Sequence, residues 1–317
     1  FKKQILNKRI NYIPFNFSNL DKKNIINYSV NFFKEVFFLV KIFTTKNFNI
    51  IYIAGGSINF KSALSSILSN KKFVWHVHDT RCNFLIKIIF KFLNIFSFKT
   101  IFASNKSQKY YNFNEKKKSQ IINSSVPIPK KIDLNKKDKY IKVALIGNIN
   151  PDKNILLYKK IVSNNHNKKI KFFLVGQLWS SQINYFKKIN LKKIIKNNKL
   201  KWIKNLSNTN NFISKIDMLI CTSKYESLPL SICEAMSYGK FIISTDVGDV
   251  KKYILNKKFK CGEIIQSNDP NDFKVYINKF SQNPKIFQSY KLNAYFIAKK
   301  FLNINIFTDK ILNLLNK

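Results

Sequence analysis

The 317-residue chain is poor in residues that usually mark chemistry at a glance. It has four cysteines, seven glycines, seven prolines, three histidines, two arginines and only 16 acidic residues against 57 basic ones. Cys82, Cys221, Cys233 and Cys261 form no Cys-x-x-Cys pair, which argues against a zinc ribbon or a disulfide framework. Three lie in apolar or helical surroundings and read as reduced, buried thiols of a cytoplasmic protein. No apolar run reaches the ~18–20 residues that cross a bilayer. The first residue is Phe1, and a chain that starts this way is expected to start within a longer protein. The N-terminal residues lack the charged, apolar and small regions of a secretory signal.

A net charge of +41 raises the question of nucleic acid. The charge is spread evenly, with 26 basic and 6 acidic residues in 1–140 and 31 and 10 in the rest. Only Arg9 and Arg81 could supply the bidentate fork that reads bases. The excess fits an A/T-rich codon bias, which favours Lys, Asn, Ile, Phe and Tyr, and nucleic acid is not expected as a partner. An anionic membrane surface needs only diffuse cations and stays open.

Short apolar runs alternate with longer amphipathic ones, the mark of parallel strands crossed by helices. Strands are predicted at 50–54, 73–77, 100–104, 142–146, 171–175, 217–221 and 241–245. Helices are predicted at 22–45, 59–69, 83–97, 105–113, 153–162, 181–196, 208–215 and 229–238, with two more near the C-terminus. The proline- and charge-rich stretch 126–140 reads as a linker. Two α/β domains follow, 1–135 and 136–317, with ligand expected in a cleft at the carboxyl ends of their strands.

Gly147 and Gly176 end strands, Gly239 ends a helix and Gly248 follows a strand, all places where main chain turns tightly or admits a ligand. In 225-YESLPLSICEAMSYG-239, Ser227 stands where an N-cap hydroxyl is wanted and Pro229 suits the first helical turn. Glu226 then precedes the helix and Glu234 lies inside it. Free N–H groups of residues 228–231, at the positive end of the helix dipole, lie between them. Carboxylate, phosphate site, carboxylate is the outline of a nucleotide sugar. His76 and His78 share one strand face, and with Cys82 a metal is conceivable, although no third ligand is spaced for it.

The pattern Glu226-x7-Glu234-Ala-Met, with 241-FIISTDVGDV-250 after it and 145-LIGNINPDKN-154, 172-FFLVG-176 and 217-DMLICTSKYES-227 before it, resembles the donor site of family 4 retaining glycosyltransferases with the GT-B fold. The likeness covers about residues 48–310. It implies two Rossmann-like domains facing a cleft, an N-terminal acceptor-binding one whose first strand is not identifiable and a C-terminal one that binds a nucleotide sugar. It implies that Glu234 holds the ribose hydroxyls, Glu226 the transferred sugar, and Lys153 the diphosphate. The loop at Gly147 and Asn148 and the main chain of Ser227, Leu228, Pro229 and Leu230 would share that diphosphate, and 75-WHVHDT-80 would place His78 near the sugar. The family implies transfer with retention from a UDP- or GDP-sugar, which is a substrate rather than a cofactor, and no essential metal; no Asp-x-Asp occurs. The acceptor would be a glycan or a lipid-linked molecule of cell-envelope polysaccharide or lipopolysaccharide synthesis, reached in the cytoplasm or at the inner membrane face. Domain closure would hinge near 126–140.

Two departures stand out. The family commonly has arginine after the phosphate-loop glycine, where this chain has Asn148, and glycine where it has Asp249. A binding protein without turnover therefore stays open beside the transferase, as does a sugar-nucleotide epimerase or hydrolase, for which no attacking carboxylate is identifiable. The segment 84-FLIKIIFKFLNIF-96 reads either as a mostly buried helix or as an interfacial one whose lysines meet anionic lipid, and 28–43 is a second of the same kind.

Overall fold

The computed structural model describes residues 13, 15, 17–18, 25–111, 118–134, 138–197, 199–256 and 258–315. Residues 22–24 and 112–113 of two predicted helices lie outside these, as do 135–137 of the predicted linker and with them the predicted domain boundary. Two compact units form, one from 1–75 and 83–100, the other from 76–82 and 101–317.

The first unit holds α1 (Ile25–Thr45), β1 (Ile51–Gly55), α2 (Phe60–Leu68), most of β2 (Phe73–Val77) and α3 (Phe84–Asn94). With β3 (Lys99–Phe102) and β4 (Ser119–Ile121), β1 and β2 make a four-stranded sheet in the order β1-β2-β3-β4. α4 (Asn105–Tyr111) lies between β3 and β4 in the chain. The unit's core includes Val36, Leu39, Ile53, Phe60 and Trp75, with Phe90 edge-on to Trp75 at 4.8 Å. Within that core Lys61 pairs with Glu35, donates to Ser18 O and Oγ at 2.8 and 2.7 Å, and lies 3.9 Å from the Tyr28 ring centroid.

The second unit holds a six-stranded parallel sheet of β5 (Ile141–Ile146), β6 (Ile170–Val175), β7 (Leu200–Ile203), β8 (Met218–Cys221), β9 (Phe241–Thr245) and β10 (Gly262–Ile265). Successive side chains of a strand leave by opposite faces, and both faces here are covered. Val143, Leu145, Met218, Ile220, Phe241 and Ile243 enter one core, with α5 (Ile155–Asn164) and α11 (Pro270–Gln282). Ala144, Leu219, Cys221 and Ile242 enter the other, with α9 (Leu230–Ser237) and α12 (Gln288–Phe301). α13 (Ile304–Leu315) follows, making three C-terminal helices where the sequence suggested two. The four thiols are free, and those of Cys221, Cys233 and Cys261 are buried.

The predicted helix 181–196 is two, α6 (Ile183–Ile189) and α7 (Lys192–Lys196), because Asn190 adopts a left-handed φ of 44° between them. The other helices are α8 (Thr209–Lys215) and the short α10 (Val250–Ile254). No helix among the described residues is long and apolar enough to cross a membrane.

The order of the six strands, β10-β9-β8-β5-β6-β7, is what places the site. The chain runs outward one way from β5 through β6 to β7, returns to β8 beside β5, and runs outward the other way. This is the Rossmann order with its switch point between β5 and β8. Loops leaving the carboxyl ends of those two strands diverge to opposite faces and leave a crevice between them.

Candidate functional site

Both loops at the switch point carry residues singled out in the sequence. After β5 the chain passes Gly147 and Asn148 and enters a 3₁₀ turn, Pro151–Lys153, capped by Asn150, whose Oδ1 accepts the Lys153 N–H at 2.9 Å. After β8 it passes Thr222, Ser223 and Lys224 to Glu226. The two loops are sewn together: Thr222 Oγ1 donates to Lys153 O at 2.8 Å, and the Lys224 N–H to Asp152 O at 2.7 Å. Lys153 and Glu226, 73 positions apart, therefore meet in an ion pair, and Ser223 Oγ donates to the same carboxylate oxygen at 3.1 Å. Gly147 leaves room for this lysine, since a Cβ there would lie 3.0 Å from Lys153 Cε.

The helix after Glu226 starts later than its serine suggests. Pro229, at φ −60° and ψ 123°, is the N-cap of α9, and no side chain caps it. Ser227 instead donates from Oγ to the His78 carbonyl oxygen and so ties the loop after β2 to this one. The prediction of a serine cap is thus corrected: proline's fixed φ with an extended ψ puts the helix boundary at residue 229, out of reach of the Ser227 hydroxyl. Leu228 is buried, and Leu230 is exposed as the first helical residue. Among the described residues no acceptor is found for the N–H groups of Leu230 and Ser231. At its other end α9 closes with Gly239 N–H on Met236 O and Lys240 N–H on Ala235 O, a Schellman pair that uses the left-handed glycine.

Glu234 lies in the second turn of α9, half-buried, and among the described residues its carboxylate accepts no hydrogen bond and pairs with no cation. Burial raises its pKa above the ordinary carboxylate value. It is a partly desolvated acceptor without a described donor, on the helix whose first N–H groups have no described acceptor.

Gly248 and Asp249 brace the loop from behind. A Cβ on Gly248, whose φ is +51°, would lie 1.7 Å from Ser227 O, and the Asp249 N–H donates to that same oxygen at 2.9 Å. The buried Asp249 carboxylate accepts from the Asn105 N–H at 3.0 Å, Asn105 Nδ2 at 2.8 Å and Asn123 Nδ2 at 2.9 Å. The aspartate in place of the family's glycine is thus an anchor. Replacing Gly248 with alanine is expected to cost at least about 1–3 kcal/mol from left-handed strain alone. Thermal melts should show that loss; an unchanged melt would contradict it.

His78 is exposed just past β2, with its pKa held below the ordinary value by the protein around it and raised in turn by Asp79. His76 is a packed neighbour, its ring centroid 4.0 Å from that of His78 and 6.1 Å from that of Phe307. Burial, aided by His78, pushes its pKa down to about 3. No group of three or more His, Cys, Asp or Glu among the described residues could hold a metal ion.

Asn148, an uncharged amide where the family commonly has arginine, accepts the Gln177 N–H on its Oδ1 at 3.2 Å. Sequence reading passed over several neighbours. Gln177 Nε2 donates to Asn205 Oδ1 at 3.0 Å, and both residues line a cavity of about 380 Å³ with Gly147, Asn148, Lys204 and Thr209. Arg81 lies with Cζ 3.9 Å from the Tyr225 ring centroid and one nitrogen 3.8 Å from Asp152, next in sequence to Glu226 and Lys153 respectively. The scarcity of arginine was the available signal for it.

Comparison with known proteins bears on the family and the fold. The family described as glycosyl transferases group 1 matches residues 128–298, more than half of the chain, and the chain belongs to that family. It is a GT-B-fold glycosyltransferase domain. Its structure is similar to that of HepE of Anabaena, solved in complex with UDP and glucose, with a TM-score of 0.81 at 16% identity over 100% of this chain and 89% of that one. It is similar to a glycosyltransferase of Rickettsia africae at 0.75 and 18%, over 99% and 86% of the two chains. It is also similar to sucrose-phosphate synthase of Thermosynechococcus elongatus at 0.73 and 14%, over 97% and 80%. At these identities the likeness is one of fold. No curated protein sequence gives a significant match.

Proposed function

We propose that the protein is a retaining, metal-independent glycosyltransferase that moves a hexosyl group from a UDP- or GDP-sugar to a glycan or lipid-linked acceptor of cell-envelope polysaccharide synthesis. The observation that carries this is that the loops of one switch point hold the Lys153–Glu226 pair and lead into α9, where, among the described residues, the first two N–H groups and the Glu234 carboxylate have no partner. The diphosphate lies against the α9 N-terminus and takes Lys153 from Glu226. The freed Glu226 accepts from hydroxyls of the transferred sugar, and Glu234 from those of the ribose. His78 lies near that sugar, and the base enters the cavity lined by Gln177 and Asn205. HepE, of like fold, was solved with UDP-glucose, which supports the donor class.

Catalysis is then mainly electrostatic. As the bond from the sugar to the diphosphate breaks, Lys153 and the helix N–H groups receive the growing negative charge, and the acceptor oxygen bonds to the same carbon with its proton leaving to the departing diphosphate. The test is release of nucleoside diphosphate from a panel of UDP- and GDP-sugars in the presence of membrane lipid and glycan acceptors. Release that depends on Lys153 and Glu234 is expected. Tight nucleotide binding without release would favour a binding protein, the reading that the uncharged Asn148 supports.

Binding should depend on pH through Glu234. Burial raises its pKa in the free protein, while ribose hydroxyls donating to the carboxylate favour the charged form and lower it in the complex. UDP affinity is therefore expected to weaken as pH falls through the raised value, and Glu234→Gln to remove that component. Calorimetry over a pH series checks this. A Glu234→Gln variant with the wild-type slope would contradict the assignment.

A further inference from the structure

The first unit carries an apolar surface that packing among the described residues does not use. α3 is a preformed helix, capped by Asn83, whose Oδ1 accepts the Ile86 N–H at 2.8 Å. Its inward face is narrow, with Phe90, Leu93 and Asn94 buried. The opposite face carries Phe84 at 75% exposure, Leu85 at 68%, Ile88, and Phe92 at 61%, continued by Ile95 and Phe96. At 3.6 residues per turn these side chains fill an arc of roughly 120°. The exposed Lys91 stands at one edge of the arc with Lys87 beyond it. The buried reading of 84–96 therefore fails over most of the helix, and the interfacial reading survives.

α1 repeats the arrangement. Ile26, Val30, Phe33 and Phe37 are exposed at spacings of four, three and four, which is one stripe of a helix, and exposed Lys34 and Lys41 run along one side of it. Both helices pack on α2. A surface helix in water turns its apolar arc inward and its polar arc outward. These two have apolar residues on both sides.

We propose that α3 and the α1 stripe form a docking surface for an anionic lipid bilayer. The apolar side chains enter the boundary between headgroups and acyl chains, and Lys87, Lys91, Lys34 and Lys41 meet anionic headgroups. Charge selects this occupant over a second copy of the chain. A protein at +41 repels its own copies and is drawn to a negative surface. The surface belongs to the first unit alone, so the proposal stands independently of the nucleotide-sugar reading.

The test is sedimentation of the full chain with vesicles of phosphatidylcholine alone or with about a third phosphatidylglycerol. Binding to the mixed vesicles is expected, at least about tenfold weaker to the neutral ones and reduced by high salt. Replacing Ile88 and Phe92 together by glutamate should lower binding at least about tenfold while thermal stability and nucleotide binding are kept, since both side chains are exposed. Lys87→Glu with Lys91→Glu should weaken binding and flatten its salt dependence. Far-UV circular dichroism should not change on binding, because the helix is already formed. Equal binding to neutral vesicles, no binding to either kind, or undiminished binding by the glutamate variant would overturn the proposal. So would self-association that rises with concentration and is lost in that variant, because the face would then be covered by a second copy.

Discussion

Lys153→Ala is expected to lower sugar transfer by about 10²- to 10³-fold, the usual effect of removing one charge-stabilising donor at a reacting centre. The lysine is held on three sides: Asn150 caps its turn, Thr222 holds its carbonyl, and Gly147 clears the space beside its stem. Asn148, being an amide, brings no second cation to the site. The ion pair with Glu226 is less than a quarter exposed on either side, so the alanine variant also leaves that carboxylate with only the Ser223 hydroxyl. Both kcat and KM for the donor should therefore worsen. Nucleoside diphosphate release, read beside a melting curve to exclude unfolding, measures the effect. Lys153→Arg, which keeps the charge, should recover part of it. A rate within a few-fold of wild type in Lys153→Ala would remove the lysine from the mechanism.

The largest expected loss of stability lies in the first unit. Glu35 and Lys61 form a pair with side chains 6% and 8% exposed. Deleting one partner of a buried pair costs about 3–5 kcal/mol, because the other charge stays buried without compensation. Glu35→Ala should show that cost as a fall in the urea midpoint. Replacing both residues together by methionine should cost much less, since no orphan charge remains. Burial raises the Glu35 pKa, but hydrogen bonds from Lys61 and Ser18 outweigh it and leave the carboxyl below its ordinary value. A depressed folded-state pKa gives stability that is fully present above the unfolded value and lost as pH falls through the folded one. Glu35→Gln should therefore show a weaker loss of stability in acid than wild type. An unchanged urea midpoint in Glu35→Ala would contradict the buried-charge argument.

How much of this was legible beforehand depends on the element. β5, β6, β8 and β9 are buried on both faces, and the near-continuous apolar runs this requires are plain in the sequence. β4, β7 and β10 were missed. All three are three or four residues long and end their sheets, where partly exposed positions break the run. The break between α6 and α7 turned on the left-handed Asn190, which an otherwise periodic stretch conceals. At the site, residue types announced Glu226, Glu234 and Lys153, whereas the contact between Lys153 and Glu226 depends on β8 returning to lie beside β5. Periodicity within single segments does not encode that neighbourhood. Ser227 shows the opposite failure: a sound local rule met a proline that moved the helix start, and the hydroxyl went to His78. The aromatic and aliphatic content of 84–96 was visible, but not which of its faces would be buried.

The most direct test of the donor site is calorimetric titration of the protein with UDP and GDP, beside the Glu234→Ala and Lys153→Ala variants. One nucleoside diphosphate is expected to bind wild type and, at a hundred times its Kd, to add about 2.7 kcal/mol of stability. Glu234→Ala should weaken both the diphosphate and the bare nucleoside, and Lys153→Ala the diphosphate alone. Absence of binding by either nucleotide, or affinities that ignore both substitutions, would show that the switch point between β5 and β8 is not where this protein holds its substrate.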